Sequence, residues 1–421
     1  MQTSGLIAGR FFLQPIMSKI FNQYLGNFKG ISREIWLLSF VTFINRAGAM
    51  VIPFLSLYLE DEKGFTLPQV GWIMTSFGLG SLMGTWVGGK LTDSIGFYQV
   101  IIGSIFLGGL GFIGLQYLDT FYAICAGVFS LIFVADAYRP AIFVACDSYS
   151  EPKNVTRSIA LIRLAINLGF IIGPVVGGII IAKINYVSLF WIDGITCIVA
   201  AILIFILLKP KEVKKKDIET FVKKEGVSPY RNGPYMFFIL IMVLSSMMFV
   251  LYFSLLPLYY KNVYGLSEDL IGLLLIVNAV IIVLFEMPIV GWAERIQMSK
   301  VIATFWGIVF LAVSFLVLNF TDWIGILVIG MVFMTLGEMI GSPFSNALAM
   351  VMAPKGRKGS YMGLYSMSFS LSHIFGHNGG MNLVNSFGWQ NTWNTIFWVL
   401  IAVALMTLIL RKWIKNDASL H

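Results

Sequence analysis

Long apolar runs follow one another along almost the whole chain, separated by short polar joints. A membrane-crossing helix needs about 20 predominantly apolar residues, and twelve runs reach that length. We label the predicted helices α1 to α12. The first six cover residues 36–59, 69–90, 98–118, 121–146, 158–182 and 187–208; the last six cover 234–260, 269–292, 300–320, 322–352, 360–385 and 391–411. Stretches such as Val100–Leu118, Pro234–Tyr260 and Val301–Phe320 carry no charge at all. The pattern predicts an all-α integral membrane protein built as two six-helix halves. A segment 1–35 precedes the bundle 36–208, a basic linker 209–233 joins it to the bundle 234–411, and a tail 412–421 follows.

Composition agrees with this reading. The 421 residues are 58% hydrophobic and only 12% charged, against about 25% charged in soluble domains. The net charge of +8 could signal nucleic acid, but the placement of the charges excludes it. With both termini set on the cytoplasmic side, 23 of the 29 Lys and Arg fall on that side, eight of them in the central linker. Three fall on the other side (Lys63, Lys183, Lys261) and three inside the membrane (Arg46, Arg139, Arg163). Positive charge on cytoplasmic loops orients a membrane protein, so both ends are expected inside, in a multi-pass chain of the cytoplasmic (inner) membrane. The segment 1–35 has no signal-peptide pattern and reads equally as an interfacial amphipathic segment or a disordered tail. Cys125, Cys146 and Cys197 sit in apolar runs without metal-ligand spacing and read as small buried hydrophobes.

The halves repeat at a nearly constant offset. Leu57–Tyr58, Gly71 and Asp93 recur 201 residues on as Leu258–Tyr259, Gly272 and Glu294. Asp136, Ser158 and Gly177–Gly178 recur 202 residues on as Glu338, Ser360 and Gly379–Gly380. Matching acids argue against chance similarity of apolar helices. Internal repeats of this kind mark transporters, in which one half rocks against the other around a midplane site.

Two stretches carry a family resemblance. Gly89-Lys90-Leu91-Thr92-Asp93-Ser94-Ile95-Gly96 lies between α2 and α3, and Gly169-Phe-Ile-Ile-Gly173-Pro174-Val-Val-Gly177-Gly178 lies in α5. Glycine permits the tight turn, and glycines four residues apart give one helix face a smooth ridge for close packing; Pro174 lets that helix bend. The chain resembles the major facilitator superfamily from about residue 35 onward, and the α5 motif is similar to that of its drug:proton antiporter branch. The first stretch departs from the family pattern: Ser94, Phe97 and Tyr98 stand where basic residues are usual. The acid end of the loop latch is present and its basic end is missing, so a charge relay would draw on other partners, Arg157 or Arg163 with Asp147.

Charge in hydrocarbon is costly and is usually paired or functional. Arg46 in α1, Asp136 and Arg139 in α4, Glu286 in α8 and Glu338 in α10 all lie deep in apolar runs. The resemblance implies that α1, α4, α7 and α10 line one central cavity, which would gather Arg46, Asp136, Arg139 and Glu338. It also matches Arg139 to an α4 arginine used in proton coupling. Asp136 and Arg139 are three residues apart and can pair on one face; Asp136 could instead pair with Arg46. Glu338 has no cation in its own helix, and burial favours the neutral form of a carboxyl, so it is the best candidate proton carrier, with Asp136, Arg139 and His373 as further coupling candidates. Polar residues expected to face a solute are Asn45, Tyr138, Asn167, Asn278, His377 and Asn378. Glu286 and Glu294 read as the second-half loop latch, and Arg163 with Asp147 as an inner gate.

No phosphate-binding loop and no nucleophile–base constellation stands out, so an enzyme is not indicated. The expected energy source is a proton gradient, with no cofactor and no metal. The expected function is proton-coupled export of small amphiphilic compounds. The alternative is proton-coupled uptake of a small charged or zwitterionic nutrient, in which Arg46 and Arg139 take a carboxylate and Glu338 an amine. The partners are a small-molecule substrate and the lipid bilayer, and a monomer suffices because one chain supplies both halves.

Overall fold

A computed structural model describes residues 26–210, 227–321 and 323–414. The side chains of His373, His377 and Asn378 lie outside the described residues, as do most of the N-terminal segment, the linker and the tail. Every predicted run is helical. α1 is broken into Arg33–Ala47 and Val51–Asp61, and α4 into Phe121–Asp136 and Tyr138–Tyr149. The others in the first half are α2 (Leu67–Ile95), α3 (Phe97–Leu115), α5 (Val155–Lys183) and α6 (Val187–Leu207). The second half holds α7 (Gly233–Tyr264), α8 (Glu268–Arg295), α9 (Lys300–Leu316) and α10 (Gly325–Met352), then Lys358–Ile414, which is α11 and α12 joined across a kink at Gly388. Gly388 has φ +72° and Gly96 φ +91°. Both turns use the left-handed region that glycine enters freely.

Among the described residues, ten helices are long and apolar enough to cross a membrane. The two predicted runs that fall short are α2 and the α11 part of the last helix. Both are rich in Gly, Ser and Thr, and both are full-length; α2, with 29 residues, is about 43 Å long. The two pack against each other across the boundary between the halves. Their small side chains serve close helix contact rather than contact with lipid tails.

The helix pairing repeats. α1 packs on α5, α2 on α4 and α3 on α6; in the second half α7 packs on α11, α8 on α10 and α9 on α12. Repeat-related tyrosines do the same work in each half. Tyr58 and Tyr259 are buried, with Tyr58 edge-on to Phe190 at 4.9 Å and Tyr259 edge-on to Trp393 at 5.2 Å. Both are core residues.

The glycine ridge of α5 seats against the break in α1. A Cβ on Gly169 would run into the backbone at Arg46 and Ala47, and one on Gly177 would touch Met50 and Phe54; Gly173 faces the carbonyls of Ala47 and Arg46. The break frees the amides of Met50 and Val51, which are buried and need acceptors within the protein. Asp193 of α6, fully buried, supplies the acceptors: its Oδ1 takes the Met50 N–H at 2.8 Å and its Oδ2 the Val51 N–H at 2.7 Å. The apolar run of α6 contained this acid, but nothing in its own sequence pointed to a neighbour's helix end.

Replacing Gly169 with Leu should cost about 1–3 kcal/mol, the usual penalty of overpacking. Gly103→Leu, at a position with open space around it, should leave stability unchanged. Melting temperatures of the two variants in detergent test this; equal values would remove the ridge from the account.

Candidate functional site

A cavity of about 570 Å³ opens beside the two helix breaks. Its charged and polar wall comprises Asn45, Arg46, Thr75, Ser81, Ser104, Asp136, Tyr138, Arg139 and Ser370; mostly apolar residues, Ile52, Met74, Phe77, Phe112, Ile132, Phe170 and Ile374 among them, line the remainder. These positions run from the middle of α1 to the first turns of α2.

The charges of the cavity are ordered by local bonds. Asp136 pairs with Arg139 at 2.9 Å and also accepts from the Ser81 hydroxyl, so Asp136–Arg139 forms and Asp136–Arg46 does not. Ser81 in turn shares a 2.8 Å hydrogen bond with Ser370 of α11, which ties the pair to the other half. The Tyr138 and Thr42 hydroxyls are 2.7 Å apart and join α4 to α1. The Asn45 amide donates to Cys197 Sγ at 3.1 Å. Arg46 lies 5.6 Å from the centroid of the Phe170 ring, and its buried Nε has no hydrogen-bond partner among the described residues. Asn167 is expected in this wall, but it is not among the lining residues, and its buried Nδ2 has no partner among the described residues.

Glu338 does not join this group, contrary to the expectation of one central cavity. It borders a separate, smaller void of about 60 Å³ with Ser245, Ser246, Ser342, Ser345 and Tyr365. Nor is it without a cation. Arg163 of α5 donates from Nη2 to Glu338 at 3.0 Å and from Nε to Glu286 at 3.2 Å. The cation comes from the opposite half, which is why the sequence of α10 alone did not show it. Glu286 is fully buried and its Oε2 has no partner among the described residues; it belongs to this triad and not to a loop latch with Glu294. Asn278 donates to Thr335 at 3.0 Å and reaches Glu338 at 3.5 Å, so it supports the triad rather than the larger cavity.

The expected Arg163–Asp147 gate is therefore absent. Asp147 pairs instead with Lys358 at the start of α11. Asp93 caps that same helix start: Oδ1 accepts from Gly359 N at 2.6 Å, and Oδ2 from Ser360 N at 2.7 Å and Ser360 Oγ at 2.5 Å. Helix amides carry partial positive charge, so they replace the basic residue missing beside Asp93. Gly89 lies inside α2 rather than in the turn and lets Gly359 and Gly363 approach its backbone. The repeat-related Glu294 pairs with Arg157 at the start of α5 at 2.5 Å. All these bonds cross between the halves, and all lie at the end of the bundle where α2 finishes and α11 begins.

Comparison with known proteins follows this geometry. The Major Facilitator Superfamily profile matches residues 35–377 and 264–420. The chain belongs to the Major Facilitator Superfamily. It is a transporter and not an enzyme. It is 24% identical over 395 residues to the uncharacterized MFS-type transporter YttB of Bacillus subtilis (strain 168), covering 91% of this chain and 96% of YttB. It is 23% identical to the multidrug resistance protein MdtH of Aeromonas salmonicida (strain A449), covering 82% and 86%. Its fold matches a bacterial homologue of the iron transporter ferroportin, crystallised in an outward-facing state, with a TM-score of 0.72, 15% identity and coverage of 90% and 100%.

Breaking a buried ion pair from one side costs about 3–5 kcal/mol. Arg163→Met, which leaves two carboxylates facing each other, should lower the yield and melting temperature of folded protein sharply. Glu286→Gln, which leaves one neutral Arg163–Glu338 pair, should lower them less. Size-exclusion profiles with thermal melts compare the two; the reverse order would mean that the triad is not assembled in this way.

Proposed function

We propose that this transporter exports small amphiphilic compounds in exchange for protons. In this reading twelve helices cross the cell membrane with both termini in the cytoplasm. The halves 36–208 and 234–411 rock about the shared interface, and a single chain suffices. The observation that carries the reading is one-sided closure: an apolar-walled cavity holding an ion pair lies beyond a layer of inter-half bonds made by Asp93, Glu294, Asp147 and the Arg163 triad. A cavity shut off by such a layer at one end is half of an alternating-access cycle. The similarity to a multidrug resistance protein supports the same assignment.

Protons enter the reading at the triad. One cation faces two acids there, so protonating either Glu338 or Glu286 frees one of the two Arg163 bonds while leaving a neutral pair. That links proton occupancy to the grip between the halves. Asp136 is the second coupling group, because its protonation releases Arg139 beside the substrate space. A proton gradient supplies the energy, with no cofactor. The uptake reading for a zwitterion needs Glu338 opposite Arg46, and the two lie in different cavities.

Purified protein in liposomes with an imposed pH gradient tests this with a panel of amphiphilic dyes. Gradient-driven accumulation should fall about 5–150-fold in Glu338→Gln, the ordinary range of a coupling free energy, while exchange at equal pH persists. Full gradient-driven transport by that variant would remove Glu338 from the coupling.

A further inference from the structure

Three charged side chains line the larger cavity: Arg46, Arg139 and Asp136. Asp136 is its only acid among the described residues, and it is already engaged by Arg139 and Ser81. The other acid at this level, Asp193, does not reach the wall; both of its oxygens are taken by the Met50 and Val51 amides. Glu286 and Glu338 belong to the separate triad. Among the described residues the wall therefore carries one cation in excess, and that cation is Arg46. Among the described residues Arg46 has no carboxylate within ion-pair distance, and its contact is the face of Phe170. A guanidinium presents a planar fork of donors that fits a carboxylate, and charge in low dielectric demands a partner.

We propose that the solute is an amphiphilic anion, a carboxylate or similar acid on an aromatic or aliphatic body. Its head meets Arg46 and its body lies against Phe170, Phe77 and Phe112. A lipophilic cation would meet an excess positive charge and an acid already bound twice. A zwitterion would find its amine without a free acid. This assignment rests on the reading of the cavity as the solute site, and it names the charge of the solute.

Equilibrium binding to the full chain in detergent tests it, with 2-naphthoate and tetraphenylphosphonium as probes and titration calorimetry as the measurement. Wild-type protein should bind 2-naphthoate saturably, and tetraphenylphosphonium should not displace it. Arg46→Gln should weaken naphthoate binding about tenfold to a hundredfold, the usual loss of a charged hydrogen bond, and Arg46→Lys should recover part of it. The proposal is overturned by an absence of saturable naphthoate binding, by displacement with tetraphenylphosphonium, or by unchanged affinity in Arg46→Gln. The wild-type competition needs no variant, so it decides the matter even where a substitution does not fold. Binding needs no gradient. Retained naphthoate binding with no proton-driven transport would overturn the coupling and leave this assignment standing; proton-driven export of the cation would do the reverse.

Discussion

Hydrocarbon offers no hydrogen bonds, and that single constraint shapes every irregular feature of this chain. A helix that breaks inside the membrane must find acceptors for its freed amides within the protein. Asp193 meets that need for α1, and the glycine ridge of α5 allows a neighbouring helix to sit directly against the break. The same rule applies to charge. Asp136, Glu286 and Glu338 each face a guanidinium. Arg46 departs from the rule, with an aromatic face as its neighbour, and it stands in the wall of the larger cavity.

The two halves share a pairing scheme and differ in chemistry. Asp93 and Glu294 occupy equivalent positions, and each reaches the start of a helix in the other half. Asp93 is held by the backbone of α11, Glu294 by the side chain of Arg157. A helix start and an arginine are alternative sources of the same positive potential. The loss of the usual basic residue at Ser94 therefore leaves the latch intact. The deep acids diverge further: Asp136 is bound within its own helix, whereas Glu338 is bound across the interface. In the proposed reading, that difference separates solute contact in one cavity from inter-half grip in another.

Much of this was legible before any coordinates. Apolar runs located the helices, because a lipid-facing helix must be apolar along its length. The constant offset exposed the repeat, and the spacing of Asp136 and Arg139 foretold their bond. Glycines four apart foretold a packed ridge on α5. Local sequence shows only neighbours on the same helix, so it leaves Glu338 unpaired, joins Glu286 to a latch and offers Arg163 to Asp147. Arg163 meets its two acids 123 and 175 residues away.

The sequence by itself determined the class, the repeat and the inventory of buried charge, since these follow from local hydropathy and periodicity. Which charge meets which, that Asp193 serves α1 and that two cavities replace one were decided only by tertiary structure. Those facts depend on how helices distant along the chain cross, and side-chain electrostatics act over a few ångströms of space whatever the separation in sequence.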